Sequence, residues 1–331
     1  MTMTTASLDA ARPSRPSLLA RIGTQNLSLL IALVVLLAIF GALRPDVFFS
    51  WRNMVNIGLA ITILGILAMA QTIVIVSGGL DISVGSIVGL STMVLAVAVQ
   101  QTGSVGIGVM AGLGAGLFAG AVNGVAIVYG PVNAVIATLG TMSAFRGLAY
   151  IINNGNSIPI QGDALRQLGT GTLLGLPFAI WLLIAVMIIF MVFTQKTIVG
   201  RNIYAMGGNP TVARLAGIPI KRYQIGIYAM SGVAAALAGV VLAGRTMSGQ
   251  PASGSQGLEL EAITAAILGG AALQGGKGTI VGAMLGVLII GVLNNGMILT
   301  SVPTFYQLLA KGALLILAVV VQERQRAKRG E

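Results

Sequence analysis

MVNIGLAITILGILAMAQTIVIV, residues 54–76, runs for 23 positions without a charged side chain. A helix rising about 1.5 Å per residue crosses roughly 30 Å of hydrocarbon in about 20 residues, so this stretch reads as a membrane span. Working outward, further apolar segments lie at about 27–43, 82–99, 105–129, 132–152, 173–193, 223–247, 258–274, 279–300 and 305–322. The chain is therefore expected to hold ten spans. Helices are the default spanning form, because each backbone polar group finds its partner within the segment. Composition agrees: 56% of the 331 residues are apolar and only 8% charged, too few to cover a water-soluble surface. The 46 glycines would oppose helices in water, but in lipid small residues permit close helix contact. The fold class is an all-α polytopic membrane protein.

Leu27–Leu43 could pass for a signal-peptide core. No convincing small-residue cleavage site follows it and many spans do, so it reads as an uncleaved first helix. Ten spans place both termini on one side. That side holds Arg12, Arg15, Arg21, Lys196, Arg201, Arg214, Lys221, Arg222, Lys277, Arg324, Arg326, Lys328 and Arg329. The other holds Arg44, Arg52 and Arg166, with Arg245 near a span end. Excess Lys and Arg mark the cytoplasmic side, so both termini are expected there. Terminal clusters that are merely solvated tails would not explain the interior cluster 196–222. The division that follows is a cytoplasmic tail 1–26, a transmembrane domain 27–322 containing a cytoplasmic loop 195–222, and a basic cytoplasmic tail 323–331.

The net charge of +11 lacks the aromatic interleaving of a nucleic-acid surface and reads as topology control. No cysteine or histidine is present. Disulfides, thiol or imidazole catalysis and His/Cys metal sites are thereby excluded.

A shift of 172 positions (295 − 123) pairs Asn123 with Asn295, Gly124 with Gly296, Pro131 with Pro303 and Gly140 with Gly312. Gly106/Gly278 and Gly114/Gly286 match as well. These identities relate spans 2–5 to spans 7–10, five spans apart and hence inverted in the membrane. Inverted repeats typify transport proteins, with sites at the repeat interface. Accidental matching of glycine-rich helices is the alternative.

No phosphate-cradling loop is present. GGKGT at 275–279 has Gly278 where the hydroxyl residue belongs and Ala271 where the first glycine should stand, so it reads as a turn. The eight acids, Asp9, Asp46, Asp81, Asp163, Glu259, Glu261, Glu323 and Glu331, all fall in tails, loops or helix ends of the ten-span scheme. That counts against an ion-coupled carrier, which buries carboxylates near mid-bilayer. Two acids adjoin irregular segments. Asp81 lies in SGGLDISVG, beside Ser83, and Glu261 follows SGQPASGSQG (248–257). Irregular backbone at membrane depth lines a wet cavity or is buried in protein, so paired interruptions point to a translocation path. The competing reading is two ordinary turns, with Asp81 capping a helix and Glu261 at a helix start. Asn123 and Asn295 are better suited to interhelical hydrogen bonds than to substrate. Arg146 and Lys311 are expected to snorkel towards the outer surface.

The cytoplasmic loop carries the clearest local signal. TQKTIVGRNIYAMGGNPTVARLAGIPIKRYQ (194–224) has five basic residues and no acid. Asn209 suits an N-cap, Pro210 a first helical position, and Gly217 the left-handed terminus of a helix. A short helix over 210–216 outside the bilayer is expected to dock a partner, or else to rest on anionic headgroups.

Four ordered motifs then carry a family likeness. SGGLDISVGSIVGLS (77–91), GPVNAVIATLGTMSAFRGLAYI (130–151), GRNIYAMGGNPTVARLAGIPI (200–220) and LEAITAAILGGAALQGGKGTIVGAMLG (260–286) closely resemble the ribose-type sugar permeases of bacterial ABC importers. The likeness runs from about residue 27 to 322. It implies that Asn209, Pro210, Ala213, Arg214, Leu215 and Gly217 form a coupling helix seated in an ATPase. Thr211-Val212 departs from the acidic residue and alanine that relatives often carry there. The resemblance further implies an inner-membrane homodimer, a separate cytoplasmic ATPase that binds ATP and Mg, and a periplasmic sugar-binding protein. The chain itself would need no cofactor and perform no catalysis. Its translocation path would draw on Asp81, Ser83, Asn123, Glu261 and Asn295 for a monosaccharide or polyol of unspecified identity. An ion-coupled secondary carrier for a small polar solute is the alternative.

Overall fold

The computed structural model describes residues 24–130 and 132–329. The tail 1–23 and Pro131 lie outside the described residues. Among the described residues fourteen helices follow in order: α1 (Thr24–Leu43), α2 (Pro45–Phe48), α3 (Trp51–Val76), α4 (Val84–Thr102), α5 (Val105–Tyr129), α6 (Ala134–Ile152), α7 (Asp163–Thr170), α8 (Phe178–Lys196), α9 (Ile198–Gly208), α10 (Pro210–Leu215), α11 (Ile220–Thr246), α12 (Leu258–Leu268), α13 (Ile280–Leu299) and α14 (Thr304–Arg329). Four two-residue strands form two small ribbons. β1 (Ile158–Pro159) pairs antiparallel with β4 (Ser248–Gly249), and β2 (Thr172–Leu173) with β3 (Leu176–Pro177). The fold is all-α and polytopic.

Side-chain caps define where the helices begin. Ser50 accepts from Asn53 N–H before α3, Ser104 from Ile107 N–H before α5, Asn133 from Val135 N–H before α6, and Thr279 from Gly282 N–H before α13. Each oxygen satisfies a first-turn donor that the helix itself cannot.

Eight helices (α1, α3, α4, α5, α6, α8, α11 and α13) are long and apolar enough to cross a membrane. A shorter apolar stretch, Thr304–Val320, opens α14, which continues as helix through the basic residues to Arg329. The expected span 258–274 is different. Its helix α12 has only 11 residues, about half a membrane thickness. Gly270, Gly275, Gly276 and Gly278 all take positive φ, which ends the helix and folds 269–279 into turns. Hydropathy summed across those glycines and so overstated the helix. Between the spans expected at 132–152 and 173–193 the chain forms β1, α7 and the β2–β3 hairpin, so the helix of the latter span begins only at Phe178.

The packing repeats across the two halves. Helices α3 and α11 cross at the centre, and each packs chiefly on the second and third helices of the other half: α3 on α12 and α13, α11 on α4 and α5. Within each half, α4 packs on α5 and α6, and α12 on α13 and α14. Exchanging the halves returns the same pattern, an internal repeat in three dimensions. The α5–α11 contact is the most extensive. A Cβ on Gly116 would fall 2.4 Å from Gly232 O, and one on Gly120 would fall 2.2 Å from Tyr228 O. Glycines four apart on α5 let the two backbones touch.

Candidate translocation site

Helix α3 ends at Val76, and the chain turns back into the bundle through Gly78, with φ of +85°. Residues 77–83 therefore re-enter the protein and place Asp81 among helices, with no exposed surface. Asp81 Oδ1 accepts from Ser83 N–H at 3.0 Å and from Ser83 Oγ–H at 2.6 Å. Its Oδ2 accepts from Ser231 Oγ–H of α11 at 2.9 Å. Asn123 Nδ2 of α5 donates to Ser83 Oγ at 2.7 Å and lies 3.5 Å from Asp81 Oδ1. Tyr228 donates to Leu80 O at 3.2 Å. Neutral donors thus hold a buried carboxylate that would otherwise be costly in a low-dielectric interior. Ser231 stands near the middle of the 27-residue α11, so this cluster lies deep within the bundle.

The second interruption runs beside α4. Thr92 bridges to Gln250 through both backbone groups at 2.9 Å, a Cβ on Gly89 would fall 2.4 Å from Pro251 O, and one on Gly85 would fall 2.0 Å from Glu259 Oε2. Residues 247–257 are therefore a re-entrant stretch of irregular backbone. It delivers the N-terminus of α12, with Glu259 and Glu261 in its first turn, to the depth of Asp81. Glu259 is 6% exposed and Oε1 accepts from Gly257 N–H at 3.3 Å. Arg146 of α6 lies 3.9 Å from the same oxygen, and Lys311 of α14 donates to Glu261 Oε1 at 2.6 Å.

The structure thus gathers Asp81, Ser83 and Asn123 in one cluster and Glu261 in a neighbouring one. Asn295 stands apart. It exchanges two side-chain hydrogen bonds with Asn53, at 2.8 and 3.0 Å, and clamps α13 to the start of α3. Asp81 and Glu259 stand, as expected, in a loop and at a helix start, but both interruptions fold inward and bury them. Arg146 and Lys311 point to carboxylates instead of snorkelling outward, since an intramembrane acid is the better partner. Sequence reasoning missed Glu259, Arg146, Ser231 and Lys311 as site residues. The one sequence signal available was the Glu-x-Glu pair directly after SGQPASGSQG.

The loop helix α10 is capped at its start by Asn209, whose Oδ1 accepts from Thr211 and Val212 N–H at 3.1 Å each. At its end Gly217 takes φ of +81°, with Gly217 N–H donating to Arg214 O and Ile218 N–H to Ala213 O. Ala213 is buried, Arg214 is exposed, and Leu215 is 84% exposed beside exposed Val212. Just before α10, Gly207 sits where a Cβ would fall 1.8 Å from Val76 O, and Gly276 N–H donates to that same carbonyl. Tyr204 of α9 donates to Gly278 O at 2.8 Å, and burial pushes its phenol pKa up, so the proton is retained.

The family model for the permease component of branched-chain amino acid transport systems matches residues 53–319. This chain belongs to that permease family. The L-arabinose ABC transporter permease protein AraH of Azospirillum brasilense is 40% identical over 296 residues, covering 89% of this chain and 87% of the relative. The L-arabinose permease AraH of Escherichia coli K12 is 41% identical over 283 residues (85% and 86%). The ribose import permease RbsC of Bacillus subtilis 168 is 38% identical over 305 residues (92% and 94%). No solved structure matches. The permease is thus a multi-pass membrane transport subunit and not an enzyme.

Proposed function

We propose that this permease is the membrane component of an ATP-binding-cassette importer that passes a monosaccharide, of pentose type, across the bacterial inner membrane. Relatives named for arabinose and ribose, at about equal identity, support the sugar class and leave the particular sugar open. The charge bias supports cytoplasmic termini. A periplasmic binding protein delivers sugar, two permease copies enclose the path, and a cytoplasmic ATPase binds ATP and Mg.

One observation carries the reading: the exposed helix α10 is joined through Gly207 and Gly208 to the start of the first interruption and to the turns that end α12. Gly207 abuts Val76, where the turn to Asp81 begins, and Gly276, in the turn that leaves α12. A push on Val212 and Leu215 by a docked ATPase would therefore reach the segment that carries Asp81 and the far end of α12, whose first turn carries Glu259 and Glu261. Asn209, Pro210, Ala213 and Gly217 fix the shape of α10, while Arg214 and Leu215 meet the partner. The test is sugar uptake into vesicles holding permease, ATPase and binding protein. Gly217→Ile cannot adopt φ of +81° without strain, so ATP-driven uptake should be lost while membrane insertion persists. Unchanged uptake would contradict the assignment.

The buried carboxylates Asp81 and Glu259 favour a second reading, an ion-coupled carrier. Uptake driven by an ion gradient, with no ATP, would establish it.

A further inference from the structure

We propose that Arg146 and Glu259, flanked by Glu261 and Lys311, form a binding site for the vicinal hydroxyls of an uncharged polyhydroxy solute at the N-terminus of α12. The inference rests on the transport reading above and assigns the contact residues within it. Arg146 Nε and Nη2, neighbouring donors on one edge of the guanidinium, are shielded yet have no hydrogen-bond partner. Glu259 Oε2, a buried acceptor, also has none. The 3.9 Å between Arg146 and Glu259 is beyond hydrogen-bond reach, so the two groups do not satisfy each other. Leaving a buried charged group unsatisfied is costly, and such groups in a native fold call for a partner, whether a water or a ligand.

The geometry names its chemistry. An Arg fork donates two parallel hydrogen bonds, and a carboxylate oxygen accepts. Adjacent hydroxyls on a sugar accept from the fork and donate to the carboxylate, which neither an apolar nor a singly hydroxylated solute can do as fully. The two carboxylates and two cations sum to zero charge, so the site asks for a neutral ligand rather than an amino acid or an anion. Ser143, one turn before Arg146 on α6, and Gln256, three residues before Glu259, are exposed polar side chains.

The absence of native cysteine makes the test direct. In vesicles carrying the whole importer, Ser143→Cys is treated with a water-soluble thiol reagent, with and without L-arabinose or D-ribose. The introduced thiol should react, and sugar at twice its Kd should slow labelling about threefold by mass action. Leucine should not protect. Adding Arg146→Lys, which keeps the charge but loses the fork, or Glu259→Gln should abolish protection while leaving labelling and assembly intact; should one variant fail to assemble, the other decides. A thiol at position 143 that does not react, or protection undiminished in both variants, would overturn the site. The readout does not depend on ATP, so the failure of ATP-driven uptake would sink the transport reading separately.

Discussion

The two interruptions of the bundle end in carboxylates that are treated in opposite ways. Asp81 in the first receives a donor on each oxygen and is sealed from solvent, and the one orphan nearby is a neutral amide oxygen, Asn123 Oδ1. Glu259 in the second leaves Oε2 without a donor and faces an Arg146 that is itself under-satisfied. The two interruptions have thus diverged. One side holds α3, α4, α5 and α11 in register, and the other keeps hydrogen-bonding capacity in reserve for something that passes.

That contrast predicts a graded series of stability effects, read as thermal unfolding of the purified permease. Asp81→Leu should be worst, because Ser83 and Ser231 hydroxyls lose their acceptor in a buried site; the loss should be on the order of 2 kcal/mol or more. Ser231→Ala removes a single bond and should cost about 1 kcal/mol. Lys311→Ala breaks a pair that is partly exposed, so solvent screening limits the loss to less than about 1 kcal/mol. Glu259→Gln should leave the melting temperature nearly unchanged yet lower sugar flux. Equal destabilisation by Asp81→Leu and Glu259→Gln would erase the distinction between a structural and a transport cluster.

Much of the fold was legible in the sequence because uncharged runs of 20 residues have few uses outside a bilayer. The boundaries of α10 were legible for a local reason: Asn209-Pro210 and Gly217 act through backbone geometry within one turn. The short α12 was hidden. Its glycines break the helix through φ, which hydropathy does not register, and the inward fold of 247–257 depends on contacts with Gly85 and Gly89 some 160 residues earlier (251 − 89). The pairing of Arg146 with Glu259 and of Lys311 with Glu261 was invisible for the same reason, since each joins helices from distant parts of the chain. Asn123 and Asn295 were matched by the repeat, but only Asn123 reaches the central cluster.

The account depends on α10 facing the cytoplasm and a partner there. Leu215→Cys, which introduces the sole thiol in the chain, allows this to be measured with a membrane-impermeant thiol reagent. The thiol should fail to react in intact cells, react in inverted membrane vesicles, and be blocked when the ATPase is bound. Labelling at position 215 from outside intact cells would contradict the account.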